Sequence, residues 1–288
     1  MNKLDRNDRL IKLGLLVIAF SAVSILAVIT VFMFQQGTPV MFRYGIGKFL
    51  AGQYWYPSEK SFGLLPMIVG SLYVTAGAMV IGVPFGLACA IALTEFATKR
   101  FRSLIKPVIE LLAGIPSVVY GFMGVVILVP FIRKSLGGPG LSVLAASIIL
   151  GIMILPTVIS ISVDSLLALP PAYREGSLAM GATRWQTVKM VLLPAARSGI
   201  IASVILGMGR AIGETMAVIM VAGNAIAIPK SPLDPVRTLT SNIALEMGYA
   251  AGEHREALFA TGVILFVIIM ILNTIANLTS AGRYRAGR

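Results

Sequence analysis

Charged residues are scarce in this chain: Asp, Glu, Lys and Arg make up 12% of its 288 residues. Soluble globular domains carry about twice that fraction, so a water-exposed fold is excluded. A single cysteine, Cys89, lies in an apolar run, which rules out an internal disulfide and a thiolate zinc cluster. The one histidine, His254, sits among Glu253, Arg255 and Glu256 and reads as part of a wet surface, leaving little for transition-metal ligation. No G-x-x-x-x-G-K-[ST] motif occurs, so a P-loop nucleotide site is absent. Short-period repeats, low-complexity tracts and any composition break marking a second soluble domain are also missing.

What is abundant is apolar: 57% of the residues, gathered in long runs. After the polar stretch MNKLDRNDR, a run from about Leu10 to Phe34 is long enough to cross a hydrocarbon core of about 30 Å. It exceeds the core of a cleaved signal peptide, so a retained signal anchor is expected. Further spans are expected at about 67–94, 108–132, 141–168, 198–222 and 257–280, six in all, giving an all-α polytopic membrane protein. Gly82 and Pro84, Gly114 and Pro116, and Gly151 and Pro156 fall inside these spans, where neighbouring helices re-satisfy freed backbone groups and small residues permit close contact.

The chain divides accordingly. Residues 1–66 hold a tail, the first span and an outer loop, Gln35 to Pro66, whose Tyr54, Trp55 and Tyr56 suit an interfacial aromatic belt. Residues 67–280 form a core of five spans, and 281–288 a tail. The net charge of +12 would suggest nucleic acid in a soluble protein; here it is the excess of Lys and Arg expected in inner loops, and no nucleic-acid partner is expected. With both termini inside, fifteen of the 24 Lys and Arg fall on inner segments, eight on outer loops, and Arg210 within a span. That bias puts both ends and residues 170–194 in the cytoplasm. The long outer loop, Gly223 to Glu256, is stiffened by Pro229, Pro232 and Pro235 and suits a re-entrant segment or a docking surface for an extracytoplasmic partner.

Two polar stretches interrupt the apolar pattern. The first is PPAYREGSLAMGATRWQTVKMVLLP, Pro170 to Pro194. Its prolines stop the preceding helix and start a short one near Ala172. Gly181 permits positive φ, and Thr183 can cap a second helix carrying Trp185, Val188 and Val191. Helix, glycine turn, helix is expected, whether as a socket for another protein, an amphipathic hairpin on the membrane, or a DNA-reading helix-turn-helix.

The second stretch is GMGRAIGETMAVIMVAGN, Gly207 to Asn224. Arg210 and Glu214 are four apart, so on one helix they share a face and can pair. Each alone at bilayer depth costs about 2.5–3.5 kcal/mol, which points to a substrate path, a structural ion pair or the proton relay of a secondary carrier. Glu110 and Asp164 lie near inner span ends, where capping or snorkelling accounts for them.

Glu175, Gly176, Ser177, Gly181 and Val191 to Pro194 resemble the EAA loop of ABC importer permeases: E-A-A, three residues, G, nine residues, I-x-L-P. The Glu, the Gly, the Leu-Pro pair and both spacings agree; Gly176, Ser177 and Val191 depart from the pattern. RAIGETMAVIMVAGN, SPLDPVRTLTSNIALEMGYA and GIPSVVYG (Gly114 to Gly121) resemble the PstC-type permeases of phosphate ABC importers, a similarity covering nearly the whole chain. The resemblance implies a type I ABC importer permease (MetI-like) fold in the inner membrane of a prokaryote. It implies a heterodimer with a second homologous permease, two ATP-binding subunits that hold ATP and Mg, and an extracytoplasmic phosphate-binding protein. This chain would be a transport subunit without a cofactor or metal of its own, its substrate inorganic phosphate or another oxyanion. On that resemblance the family's charged pair in translocation falls on Arg210 and Glu214, and residues 170–194 dock on the ATPase. Thr215, Ser117 and Tyr120 are further candidates for the path, while Glu175 with Arg184 or Arg174 are expected to supply the polar contacts to the ATPase, Trp185 an apolar knob and Gly181 the hinge. Arg210 would attract the anion through its fork of donors, and Glu214 would tune it or accept a hydrogen bond from the phosphate hydroxyl.

Overall fold

Lipid leaves the backbone few ways to satisfy its own polar groups, and helices carry most of this chain. A computed structural model describes residues 3–281; the side chains of 3–10, 277 and 279–281, and all of 282–288 with Arg283, Arg285 and Arg288, lie outside the described residues.

α1 (Lys3–Tyr44) runs unbroken through Gly37 and Pro39, well past its expected end near Phe34. Its outer part packs against the last helix, and a Cβ at Gly37 would lie 2.6 Å from the Ala260 backbone nitrogen. The expected loop from Gln35 to Pro66 is therefore largely ordered: it holds the end of α1, a short α2 (Ile46–Ala51), and a hairpin of β1 (Trp55–Tyr56) and β2 (Ser61–Phe62) with Trp55 opposite Phe62. From Ile11 to Val31, α1 exposes one apolar side chain after another, as a lipid-facing helix does.

α3 (Leu65–Ile91) continues through a π turn to Phe96. α4 (Lys99–Gly114) follows, capped by Thr98, whose hydroxyl accepts the Phe101 N–H at 3.2 Å. The third span does not begin at 108 as expected. Residues 108–114 belong to α4, and the chain then extends through Ile115 and Pro116 (ψ 127° and 140°), because the proline ring disfavours a helical residue before it. The span itself is α5 (Ser117–Met123), a π turn over Gly124–Leu128, and α6 (Val129–Ser135).

α7 (Val143–Leu167) is the central helix, buried along most of its length. Small residues bring it against α3: a Cβ at Gly82 would stand 2.5 Å from Ile154 Cγ1 and 2.8 Å from the Gly151 carbonyl. Next come α8 (Pro171–Ala179), α9 (Arg184–Thr187), a π turn over Val188–Leu192 and α10 (Leu193–Ala195). A 73° bend at Ala196 leads into α11 (Arg197–Gly213), followed by α12 (Met216–Val221), α13 (Leu239–Glu246) and α14 (Glu253–Ala281). Among the described residues, five helices, within Ile11–Tyr44, Leu65–Phe96, Ser117–Ser135, Val143–Leu167 and Glu253–Ala276, are long and apolar enough to cross a membrane, and the bent segment makes up to six.

Four apolar clusters result among the described residues, two of them large. One surrounds Leu150, Met153 and Ile154 of α7 with Val218 and Val221 of α12; the other gathers Phe49, Trp55, Phe62, Leu239 and Leu258 at the opposite end of α3 from the α8–α9 hairpin.

Candidate functional site

Arg210 and Glu214 do not share a helix face. α11 ends at Gly213, Glu214 is extended (φ −70°, ψ 132°), and α12 begins at Met216. The Glu214 carboxylate turns forward to accept the Ala217 N–H at 3.2 Å, capping α12, while its carbonyl accepts the Thr240 hydroxyl at 2.9 Å. The break is held open because side chains meet the backbone groups it frees. Among the described residues no ion pair joins Arg210 to Glu214, so the expected pair is corrected: one residue is a cation in the last turn of a helix, the other a cap.

α5 packs beside this break, and a Cβ at Gly121 would lie 3.0 Å from Ala217 Cα. The Tyr120 hydroxyl donates to the Leu112 carbonyl at 2.9 Å, and Arg210 is half-buried in the last turn of α11. Ser117 is one turn before Tyr120, and Thr215 donates to the Gly213 carbonyl at 3.3 Å. The structure thus places Arg210, Glu214 and Thr215 at the α11–α12 break, with α5, which carries Ser117 and Tyr120, packed beside α12. Gly209 and Gly213 have nothing within 4 Å of a built Cβ, and Leu206 and Met216 are exposed, so this face is open on one side.

The Pro170–Pro194 hairpin forms as expected. Pro171 opens α8; Gly181 has φ 83°; Thr183 and Gln186 make a reciprocal capping box for α9. Glu175 and Arg184 are exposed, and Trp185 is 57% exposed beside a hollow of about 320 Å³ lined by Pro84, Leu87 and Phe96. Arg174 behaves differently: it turns inward to Glu95 at 2.7 Å and to the Leu166 carbonyl at 2.9 Å. Sequence reasoning missed Glu95, whose signal was a lone carboxylate at a span end, and Met180, 88% exposed at the hairpin tip.

At the other end, Glu246 is buried and fully engaged. Its carboxylate receives Arg237 at 2.7 Å and Trp55 Nε1 at 2.7 Å, and lies 2.8 Å from His254 Nε2. His254 is therefore not a wet surface residue, and Trp55, 2% exposed, is not in an interfacial belt, whereas Tyr54 and Tyr56 stay exposed. A carboxylate removed from water needs such donors, and they draw the hairpin, the outer loop and α14 together. Nearby, Arg43 and Lys60 hold Glu253 at 2.7 and 3.1 Å, and the hydrogen bond to Glu253 keeps the Lys60 ammonium above the usual lysine range. The outer loop folds back onto the helices: α13 is largely buried, and its Thr240 reaches the break at Glu214. Asp164 lies 3.9 Å from Lys106 of α4, and Glu110 is exposed on α4.

The model of the family described as "Binding-protein-dependent transport system inner membrane component" matches residues 82–282. The Bacillus subtilis protein named "Probable ABC transporter permease protein YqgH" is 44% identical over 262 residues, 88% of this chain and 85% of that protein. "Phosphate transport system permease protein PstC" of Mesorhizobium japonicum is 38% identical over 80% of this chain and 77% of its own length. The same-named protein of Haemophilus influenzae is 35% identical over 82% and 81%. Among solved structures, a chain of the bacterial alginate ABC transporter superposes with TM-score 0.65 at 15% identity, covering 96% of this chain and 95% of that one. A chain of the inward-facing MetNI methionine ABC transporter gives 0.58 at 20% identity, covering 78% and 96%. The shared fold is that of type I ABC importer permeases, and the chain belongs to the family of binding-protein-dependent transport system inner membrane components.

Proposed function

We propose that this chain is one of two homologous permeases lining the passage of an ATP-driven inorganic phosphate importer. Relatives named as phosphate transport permeases support the substrate. The observation that carries the reading is Arg210: half-buried in an apolar segment, one turn before a helix break, with no carboxylate at ion-pair distance among the described residues. A guanidinium so placed offers paired donors to an anionic oxyanion. Ser117, Tyr120 and Thr215 add hydroxyls to the same passage. Glu214 serves the passage by capping α12 and keeping the break open, a different role from pairing with Arg210. Binding here is weak, since a conduit must release what it binds.

Both termini and the α8–α9 hairpin face the cytoplasm, where two ATP-binding subunits grip the hairpin. Glu175, Arg184 and Trp185 make the contacts, Gly181 shapes the turn, and Arg174 carries the motion to α3 through Glu95. ATP and Mg reside on those partners. The second permease covers the open face beside Gly209 and Gly213, and a phosphate-binding protein delivers the anion from outside.

The test is purification from membranes followed by reconstitution. ATP-binding subunits should copurify, and proteoliposomes should take up phosphate only with ATP and binding protein, without competition from sulfate. Uptake driven by a proton gradient alone would replace this reading with a secondary carrier, and equal uptake of sulfate would make the passage a general oxyanion path.

A further inference from the structure

Helix α4 has three faces, and one of them packs into the protein core. At about 100° per residue, Arg102, Ile105 and Ile109 fall on one sector, and Ile109 is buried in a cluster with Ile159 and Val163 of α7. Phe101, Leu104, Val108 and Leu111 form a second sector, 51%, 68%, 47% and 73% exposed. Lys99, Ser103, Lys106 and Glu110 occupy the third, with Arg100 at its border with the apolar stripe.

No carboxylate of the described residues lies at ion-pair distance from Lys99 or Arg100, whereas Lys106 stands 3.9 Å from Asp164. The helix starts at Lys99, three residues beyond the end of the α3 span at Phe96. A helix with an apolar stripe on one side and unpaired cations on the next, placed at the end of a membrane span, has the composition of an interfacial helix attracted to negative lipid. Pro107 does not break it, and only one of its residues is fully buried. Protein packing alone leaves these four large apolar side chains, and the neighbouring Leu112, in water.

We propose that α4 lies in the headgroup layer, with Phe101, Leu104, Val108 and Leu111 among the acyl chains and Lys99 and Arg100 on the phosphates of anionic phospholipid. The leaflet, but not the site, rests on the orientation proposed above. Because α4 packs on α7 and adjoins the π turn carrying Glu95, this lipid contact bears on the support of the α8–α9 hairpin.

The experiment uses the assembled complex in nanodiscs, with Cys89→Ser and a fluorophore at Leu104→Cys. Two readouts follow: quenching by lipids doxyl-labelled near the headgroup, and energy transfer to headgroup-labelled phosphatidylglycerol against phosphatidylcholine. Strong quenching and excess transfer to phosphatidylglycerol are expected. The excess should fall by about fivefold for each charge removed in Lys99→Gln and Arg100→Gln at low salt, disappear at high salt, and ignore added inorganic phosphate. Retained quenching in the variants shows the helix still in place. Equal transfer to both lipids overturns the proposal. So does absence of quenching in the assembled complex, which makes the stripe a protein interface, and so does competition by inorganic phosphate, which makes the cations a free-anion site. Neither readout requires transport, so the result is separable from the proposed substrate.

Discussion

Arg174 of α8 places its Nη2 2.7 Å from Glu95 Oε1 and its Nε 3.1 Å from the same oxygen, and the same Nη2 reaches the Leu166 carbonyl at 2.9 Å. One side chain thereby ties the first hairpin helix to the ends of both α3 and α7. Glu95→Gln should lower thermal stability by roughly 1–3 kcal/mol, given that the pair is only partly buried. It should also lower phosphate moved per ATP hydrolysed. Arg174→Lys should not restore coupling, since a point charge cannot reproduce the fork. A normal transport-to-hydrolysis ratio in both variants would show that the tie carries no force.

Gly181 has φ 83° and open space around a built Cβ, so any penalty for a side chain there comes from the backbone. Gly181→Ala should cost about 1–2 kcal/mol. Gly176, helical and equally uncrowded, is the control: Gly176→Ala should stabilise α8 by up to about 1 kcal/mol. Thermal melts of both variants check the sign of each change.

Thr240 satisfies the Glu214 carbonyl across the break. Thr240→Val keeps the shape and removes the donor, at a cost of about 0.5–2 kcal/mol within a membrane protein. Hydrogen exchange at residues 213–217 should quicken, and phosphate uptake should fall. Unaltered exchange would mean the break is held by other groups.

Glu246 anchors Trp55, Arg237 and His254. Trp55→Phe loses one hydrogen bond to a charged group, about 1.5–3 kcal/mol. Glu246→Leu strands the Arg237 guanidinium and should cost about 3–5 kcal/mol. The ranking in a melt is the check; equal effects would mean that Arg237 finds water when its partner is removed.

Periodicity and run length made the all-helical fold and most spans legible, and the hairpin could be read almost residue by residue because prolines, Gly181 and Thr183 act locally. Hydropathy was blind where local chemistry competed with it. The apolar residues 108–114 look like the start of a span, but Ile115–Pro116 ends their helix and leaves them on α4. The i to i+4 spacing of Arg210 and Glu214 implied a pair only if the helix continued, and Thr240, 26 residues on, is part of what holds it broken. His254 and Trp55 looked superficial because their partner, Glu246, is distant in sequence. In each case the deciding contact is long-range.

The most direct measurement is ATP-driven phosphate uptake by the reconstituted complex carrying Arg210→Gln, with assembly and basal ATP hydrolysis measured in the same vesicles. Uptake should fall by at least tenfold while the subunits stay together and hydrolysis continues. Undiminished uptake in a complete complex would contradict the assignment of Arg210 to the anion's path.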